Sequence, residues 1–555
     1  MPSLIHPATG ENSRRALWLL LVFAFIWFGN IEYRILIKPD EGRYAEIPRE
    51  MEVSGDWVTP RLNDLKYFEK PPLQYWATAT AYTVFGEHHW TSRLWTALTG
   101  FCGVLLVWFA GTRLFGHAAG AYAAVLLGGS LLYVLMAHIN TLDMGVTFFL
   151  TLGIVGLLLG QQTESDAKSC RRWMSLAWVA LALAVLSKGL MGLVLPGAAL
   201  FLYSVMQRDI GVYKHMHWGT GLLLFLLVAA PWFYLVMKAN PEFFQRFFIY
   251  EHYTRFTTKD LGRYQPWYYF IPVLLLGMLP WTLLMFDTLL RTWQGSVRTD
   301  KAFNPERFLL IWAVFIYMFF SVSGSKLPSY LLPMFPALAL LMGKQLAMMS
   351  ARRLFWLIAP LSPVALLAVG LAPFTAHTAD TPLQQQIYGD YAVWLSVATL
   401  VWLSGIIIGL VLLRRSNKPL AVFALALSSL CAAQIGTSGY NTIAPERSAY
   451  YIAQAIRPYV KADVPFYSIA NYEQTLPFYL QHTFTLVAYQ DEMAFGIMQE
   501  PRRWIPDIAG FARIWREQKA ALAIMPVTVY PQLQSEGLAM KTIFQDTQYV
   551  IVSKP

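Results

Sequence analysis

Charge is what this sequence has least of. Asp, Glu, Lys and Arg make up 14% of its 555 residues, where a soluble globular chain carries about a quarter. The shortfall is concentrated in apolar runs of about 20 residues, the length that crosses a hydrocarbon core, and a soluble core does not supply a dozen such runs. Cysteine is nearly absent too. Cys102 and Cys431 lie in apolar runs and Cys170 in a loop, with no CxxC pair, so neither a disulfide framework nor a thiolate metal site is expected. No Lys/Arg-rich patch interleaved with aromatics occurs, and the net charge of +10 therefore does not point to nucleic acid. Internal repeats and low-complexity tracts are missing. So is a small-residue cleavage site after the apolar run that begins at Ala16 behind Arg14 and Arg15, which is expected to stay as a first membrane span.

What is present is a series of apolar runs at 15–36, 93–115, 118–138, 143–162, 173–187, 189–207, 217–238, 267–290, 307–322, 330–347, 353–373, 391–413 and 418–436. The run at 72–86 is short and polar enough to lie at the interface instead. With it left out and the N-terminus inside, the inner loops collect Arg113, Lys168, Arg171, Arg172, Arg208, Lys214, Arg291, Arg298, Lys301, Lys344, Arg352, Arg353, Arg414, Arg415 and Lys418. The short outer loops hold little beyond Lys188 and Lys326, as the positive-inside bias requires. The fold class is thus an α-helical polytopic membrane protein with about 13 transmembrane helices over 1–436. From 437 to 555 short β-rich runs at 464–470, 484–489, 520–525 and 548–553 alternate with helical patterns at 446–457 and 509–519. They form an α/β domain outside the membrane, which either covers a site or only supports the fold.

Two outer segments break the charge bias. The loop 37–92 carries Lys38-Pro39-Asp40-Glu41-Gly42-Arg43-Tyr44 and Tyr67-Phe68-Glu69-Lys70-Pro71-Pro72, and the loop 239–266 carries Arg246, Glu251, His252, Arg255, Lys259 and Arg263. Cations on the outer face against the bias call for an anionic ligand. Asp40 sits close behind the apolar Ile35-Leu36-Ile37, and either it or Glu41 caps the helical pattern that runs to Met51, or it serves a reaction. Asp143, at the outer start of a span, either answers the helix dipole or converges with Asp40 at the same membrane level. These two carboxylates with Lys70 and Arg255 make a site for a phosphate-linked substrate. Glu69 and His252 are weak candidates for a divalent metal, since no HxxxH or HExxH spacing accompanies them. Ser187-Lys188-Gly189 lacks the upstream glycines of a phosphate-binding loop. Lys326, in the polar turn before Tyr330, either binds phosphate or snorkels.

The stretch from Asp40 to Met51, Gly55-Asp56-Trp57-Val58-Thr59-Pro60-Arg61, Tyr67-Phe68-Glu69-Lys70-Pro71-Pro72, Thr141-Leu142-Asp143-Met144, Asn240-Pro241-Glu242-Phe243-Phe244 and Ser325-Lys326-Leu327-Pro328-Ser329-Tyr330 resemble, in order and spacing, the family of lipid A aminoarabinose transferases. That family is related to the protein O-mannosyltransferases within the GT-C class. The resemblance implies an undecaprenyl-phosphate aminosugar donor, lipid A phosphates as acceptor, an inner-membrane enzyme facing the periplasm, and polymyxin resistance as the outcome. It also implies catalysis at Asp40 with Asp143 nearby, and donor binding by Tyr44, Tyr67, Lys70, Arg255 and Tyr330. A monomer is expected. A mannosyltransferase-like enzyme with a hydroxyl acceptor is the alternative reading. A transporter of lipid-linked sugars fits less well, because the charges crowd at the surface rather than the midplane.

Overall fold

The computed structural model describes residues 10–163, 166–254, 265–295 and 303–554, with side chains from residue 18 and not for 252–254. Nine described helices are long and apolar enough to cross a membrane, and two bent helix pairs raise the number to eleven. The shorter apolar helices Trp18–Phe28 and Met191–Gln207 accompany them. The segment at 72–86 is the helix Leu73–Phe85, whose 13 residues fall short of a bilayer.

Two runs read as single spans are broken. His117–Gly128 and Leu131–Ala137 meet at 65°, and Trp267–Gly277 and Thr282–Gly295 at 110°. Gly128 and Gly129 weaken the first helix, and Pro280 has no amide to continue the second. The two breaks lie against each other: the Leu131 amide donates to the Leu279 carbonyl at 3.1 Å. Backbone groups freed in an apolar medium must find partners, and here each break supplies one to the other. Small residues let neighbouring spans approach. A Cβ at Gly111 would stand 2.7 Å from the Gly120 Cα, and one at Gly343 would stand 2.5 Å from the Ala119 carbonyl oxygen.

The first outer segment folds as a helix, a hairpin and the interfacial helix. Asp40–Ser54 is helical and stops at Gly55 in a left-handed conformation. Neither Asp40 nor Glu41 caps it in the ordinary sense. The N-cap is Pro39 with no side-chain bond, while Glu41 reaches backwards to the Ile37 amide at 3.2 Å. Strands β1 (Arg61–Leu62) and β2 (Leu65–Lys66) are antiparallel. Their two-residue turn has Asn63 at φ 57° and Asp64 at φ 59°, the twist a tight hairpin prefers. Glu50 accepts from both turn amides, at 2.6 and 2.9 Å.

Beyond the last span, β3 (Phe466–Ile469), β4 (Thr485–Val487), β5 (Trp504–Ile505), β6 (Leu522–Pro526), β7 (Lys541–Gln545) and β8 (Tyr549–Ser553) form one sheet of order β5-β4-β3-β6-β8-β7. β5, β4, β3 and β6 are parallel, and β8 and β7 are antiparallel. β5 and β7 were not expected. The two-per-repeat alternation of strand side chains splits the sheet between two cores. Tyr467, Ile469, Val487, Ala523 and Val552 pack under the helix Ile508–Glu517 through Phe511 and Trp515. Phe466, Leu486, Leu522, Ile524 and Ile551 share a core with Leu36, Tyr44, Ile47, Met51, Leu65 and Tyr67 of the first outer segment. The outer domain and the first loop are therefore one packed unit.

Candidate active site

The helix that begins at Asp40 is placed by a buried ion pair. Arg93, near the outer start of the span His89–Phe115, donates to both oxygens of Glu41 at 2.7 and 2.8 Å. It also donates to the carbonyls of Ile31, Arg34 and Ile35. Burial pushes the Glu41 carboxyl up, but the Arg93 guanidinium outweighs it and holds the group at about 2. A fully hydrogen-bonded pair of this kind fixes geometry. It sets the position of the preceding residue, Asp40, at the start of the helix.

Asp40 lines a cavity of about 410 Å³ together with Arg43, Tyr44, Glu69, Lys70, Asp143, Lys188 and Tyr330. Its Oδ1 accepts from Arg43 at 2.6 Å, one helical turn away. Arg43 is buried, and its other nitrogen donates to the Tyr67 hydroxyl at 2.8 Å and to Glu492 of the outer domain at 2.5 Å. Burial works against the guanidinium charge, but Tyr67, Glu492 and Asp40 hold it well above its ordinary range.

Across the cavity, Asp143 opens the helix Asp143–Gln162 and Lys188 ends the antiparallel helix Ala167–Lys188. Each charge sits at the dipole end that favours it, and the hairpin brings them into a direct ion pair. The Lys188 ammonium also lies 4.7 Å from the centre of the Tyr330 ring, which packs at a tilt against Phe320 with ring centres 5.0 Å apart. Lys70 donates to the Glu69 carbonyl at 3.0 Å.

An apolar flank is formed by Leu190, Met191, Val194, Leu195, Phe319, Phe320 and Leu327, with Thr141, Ser323 and Ser325 adding hydroxyls to the lining. Val194 is 52% and Leu190 37% exposed. The cavity thus joins a charged end to an apolar flank with exposed side chains, the combination a phosphate on a hydrocarbon chain requires. A second, more polar cavity of about 380 Å³ adjoins it. The two share Arg43, Glu69 and Glu251, and Gln474, Asp491, Glu492 and Phe495 of the outer domain complete the second.

Of the residues expected from sequence, Asp40, Asp143, Tyr44, Lys70 and Tyr330 converge on the first cavity. Tyr67 stands behind it against Arg43, and its hydroxyl is held above its ordinary range by burial. Arg255 and the side chain of His252 lie outside the described residues, where Lys259 and Arg263 also fall. Glu69 lines both cavities, and no group of three His, Cys, Asp or Glu suited to a metal occurs among the described residues. Lys326 does not line the cavity; it ties its own turn to the Gln265 and Ser323 carbonyls. The sequence names Arg43 within the charged outer motif and Lys188 as an outer cation in Ser187-Lys188-Gly189, but assigns neither a role at the site. The signal for Lys188 was present, since a lone cation at the outer level of Asp143 runs against the orientation bias.

A family model described as aminoarabinose transferase C-terminal domain matches residues 452–554, and one described as dolichyl-phosphate-mannose-protein mannosyltransferase matches residues 69–235. The crystal structure of ArnT from Cupriavidus metallidurans bound to undecaprenyl phosphate is 36% identical, covers 98% of both chains, and superposes with a TM-score of 0.92. The chain belongs to the ArnT family. It is accordingly a multi-pass inner-membrane protein of the GT-C type, with the α/β domain of this family at its end. An ArnT relative from Pseudomonas fluorescens, named undecaprenyl phosphate-alpha-4-amino-4-deoxy-L-arabinose arabinosyl transferase 2, is 33% identical over 341 residues. That alignment spans 61% of this chain and 57% of the relative's length. The archaeal oligosaccharyltransferase AglB from Archaeoglobus fulgidus shares the fold with a TM-score of 0.52, at 12% identity.

Proposed function

We propose that this chain transfers 4-amino-4-deoxy-L-arabinose from undecaprenyl phosphate to the phosphate groups of lipid A at the periplasmic face of the inner membrane. The observation that carries the reading is one cavity in which Asp40, Asp143, Lys70, Lys188 and Tyr330 meet an apolar flank. It has the two halves of a polyprenyl-phosphate donor. Residues 1–436 form the membrane unit in this reading, and 437–555 the periplasmic domain.

Cleaving the bond between the anomeric carbon and the donor phosphate builds positive charge on the sugar and negative charge on the phosphate. Stabilising developing charge with fixed groups is the largest usual catalytic term. Lys70 and Arg255 are assigned to the leaving phosphate, with Tyr67 and Tyr330 ordering it. Lys188 spreads one charge between Asp143 and the Tyr330 face and adds to the cationic side. Tyr44 borders the sugar. Asp40 orients the acceptor and faces the developing cation. A phosphate acceptor is already anionic at neutral pH and needs little help from a base. Displacement is then direct and inverts the anomeric centre, with no covalent sugar–enzyme intermediate.

The test is mass spectrometry of lipid A from cells that lack their own transferase but still make the carrier-linked aminosugar. Cells expressing this chain add an aminopentose, and cells expressing Asp40→Asn at equal membrane levels do not. Unmodified lipid A with both would overturn the substrate assignment. Modification with both would remove Asp40 from its role.

A further inference from the structure

We infer that Glu492 of the outer domain is a positioning residue for the transfer step, acting on Asp40 through Arg43; this rests on the assignment of Asp40 above. Arg43 is 4% exposed and makes three hydrogen bonds with two of its nitrogens. One nitrogen is shared by the Tyr67 hydroxyl and Glu492 Oε2, and the other serves Asp40 Oδ1 alone. A guanidinium is a rigid planar fork whose preferred partner is a carboxylate taken by both prongs. Glu492 and the Tyr67 hydroxyl together take the Nη1 prong and fix the plane of the fork, and in that orientation Nε makes no hydrogen bond and only Nη2 meets Asp40. Asp40 is therefore held at one oxygen, and no described residue hydrogen-bonds its Oδ2. Its side chain is 38% exposed to the cavity, so the free oxygen can meet a substrate.

Glu492 is itself fixed. It sits in the short turn Asp491–Met493, and its other oxygen accepts from Gln474 Nε2 at 2.9 Å. Gln474 precedes the helix Leu476–Leu480, and its carbonyl oxygen would lie 2.6 Å from a Cβ added at Gly42. Residue 42 therefore has to be small for the outer domain to reach the Asp40 helix. The chain Gln474–Glu492–Arg43–Asp40 thus runs from the outer domain to the membrane-edge carboxylate through contacts of 2.9, 2.5 and 2.6 Å. On this inference the outer domain completes the reaction centre. Without Glu492, Arg43 rotates to take both oxygens of Asp40 and withholds them from the substrate.

The experiment uses the full chain in detergent or nanodiscs, with undecaprenyl-phosphate aminosugar as donor and lipid A as acceptor. Glu492→Ala is expected to lower kcat by about tenfold or more, the scale of a misplaced reacting group, with the donor KM within about twofold of the parent. Glu492→Gln keeps an acceptor for Arg43 and recovers most of the rate. A purely structural role would instead lower the melting temperature and raise the donor KM together, with no recovery by glutamine. That pattern, or an unchanged kcat in Glu492→Ala, overturns the inference. Asp40→Asn is measured beside them: full activity there refutes the site assignment itself, whereas loss in Asp40→Asn with none in Glu492→Ala refutes only the coupling through Arg43.

Discussion

Arg93 and Glu41 pair through two hydrogen bonds of 2.7 and 2.8 Å with both side chains almost wholly buried. The pair ties the first outer helix to a membrane span, and every residue proposed to act in that helix takes its position from it. Removing one partner from a buried pair leaves an uncompensated charge, which costs about 3–5 kcal/mol. Arg93→Met is therefore expected to lower the melting temperature sharply and to reduce the amount of folded protein in the membrane. Glu41→Gln, which removes the charge and keeps an acceptor for Arg93, is expected to do less.

The same pair makes stability depend on acid. Glu41 sits at about 2 in the folded chain against an ordinary value of 4.5. A depressed carboxyl stabilises the fold fully above its unfolded value and loses that contribution as pH falls through the folded one. The contribution of Glu41 is then complete above about pH 4.5 and fades toward pH 2. Melting curves between pH 6 and 3 are expected to fall more steeply for the parent than for Glu41→Gln. Parallel curves would show that Glu41 does not carry this term.

Lys188 is expected to matter more than its place in a short turn suggests. Its ammonium meets Asp143 and the Tyr330 ring inside the cavity. Lys188→Met leaves Asp143 unpaired beside the donor phosphate, where like charges repel. Loss of one charge-stabilising group costs about 10²–10³ in kcat. Lys188→Arg keeps the charge and is expected to retain part of the rate. Single-turnover transfer from the lipid-linked donor measures both.

The membrane part of this fold was legible in the sequence because length and apolarity alone mark a span, and because Lys and Arg in the inner loops fix its orientation. The two breaks at Gly128–Gly129 and Pro280 were not legible. Their freed backbone groups are satisfied by each other, from Leu131 to Leu279, across a separation no local pattern reports. Strands β3, β4, β6 and β8 were visible as β-rich runs, whereas β5 has only two residues and β7 is largely exposed and polar. At the site, Asp40 and Asp143 stand out in the sequence as carboxylates at the outer edge of the bilayer, and Lys70 as a cation in an outer loop against the orientation bias. Arg43 does not, since its meaning lies in Glu492, 449 positions away.

The hairpin between the outer helices gives a test of how the outer domain docks. Asn63 holds φ 57° and exchanges two hydrogen bonds with the Phe484 backbone, at 2.9 and 2.7 Å. Alanine there meets a left-handed conformation costing about 1–2 kcal/mol and leaves both Phe484 groups without their partner, about 1–3 kcal/mol more. Asn63→Ala is expected to loosen the junction of the outer domain, seen as faster amide exchange across 484–487 with the spans unchanged. Asn63→Gly, which restores the conformation but not the bonds, is expected to lie between the two.

The apolar flank of the cavity gives the last prediction. Val194 lines the cavity and is half-exposed, on the helix Met191–Gln207 that starts three residues after Lys188. If the polyprenyl chain leaves the site between this helix and the turn before Tyr330, a bulky side chain at 194 obstructs the hydrocarbon and not the phosphate. Each buried methylene contributes about 0.8 kcal/mol to binding, so losing two or three contacts weakens the long donor by roughly 10–50-fold. Val194→Trp is expected to raise KM for the full-length donor by that factor and leave a short-chain donor of two isoprene units nearly unaffected, with kcat unchanged for both. An equal loss with long and short chains would mean that the hydrocarbon does not pass Val194, and the charged end of the cavity would need another route to the bilayer.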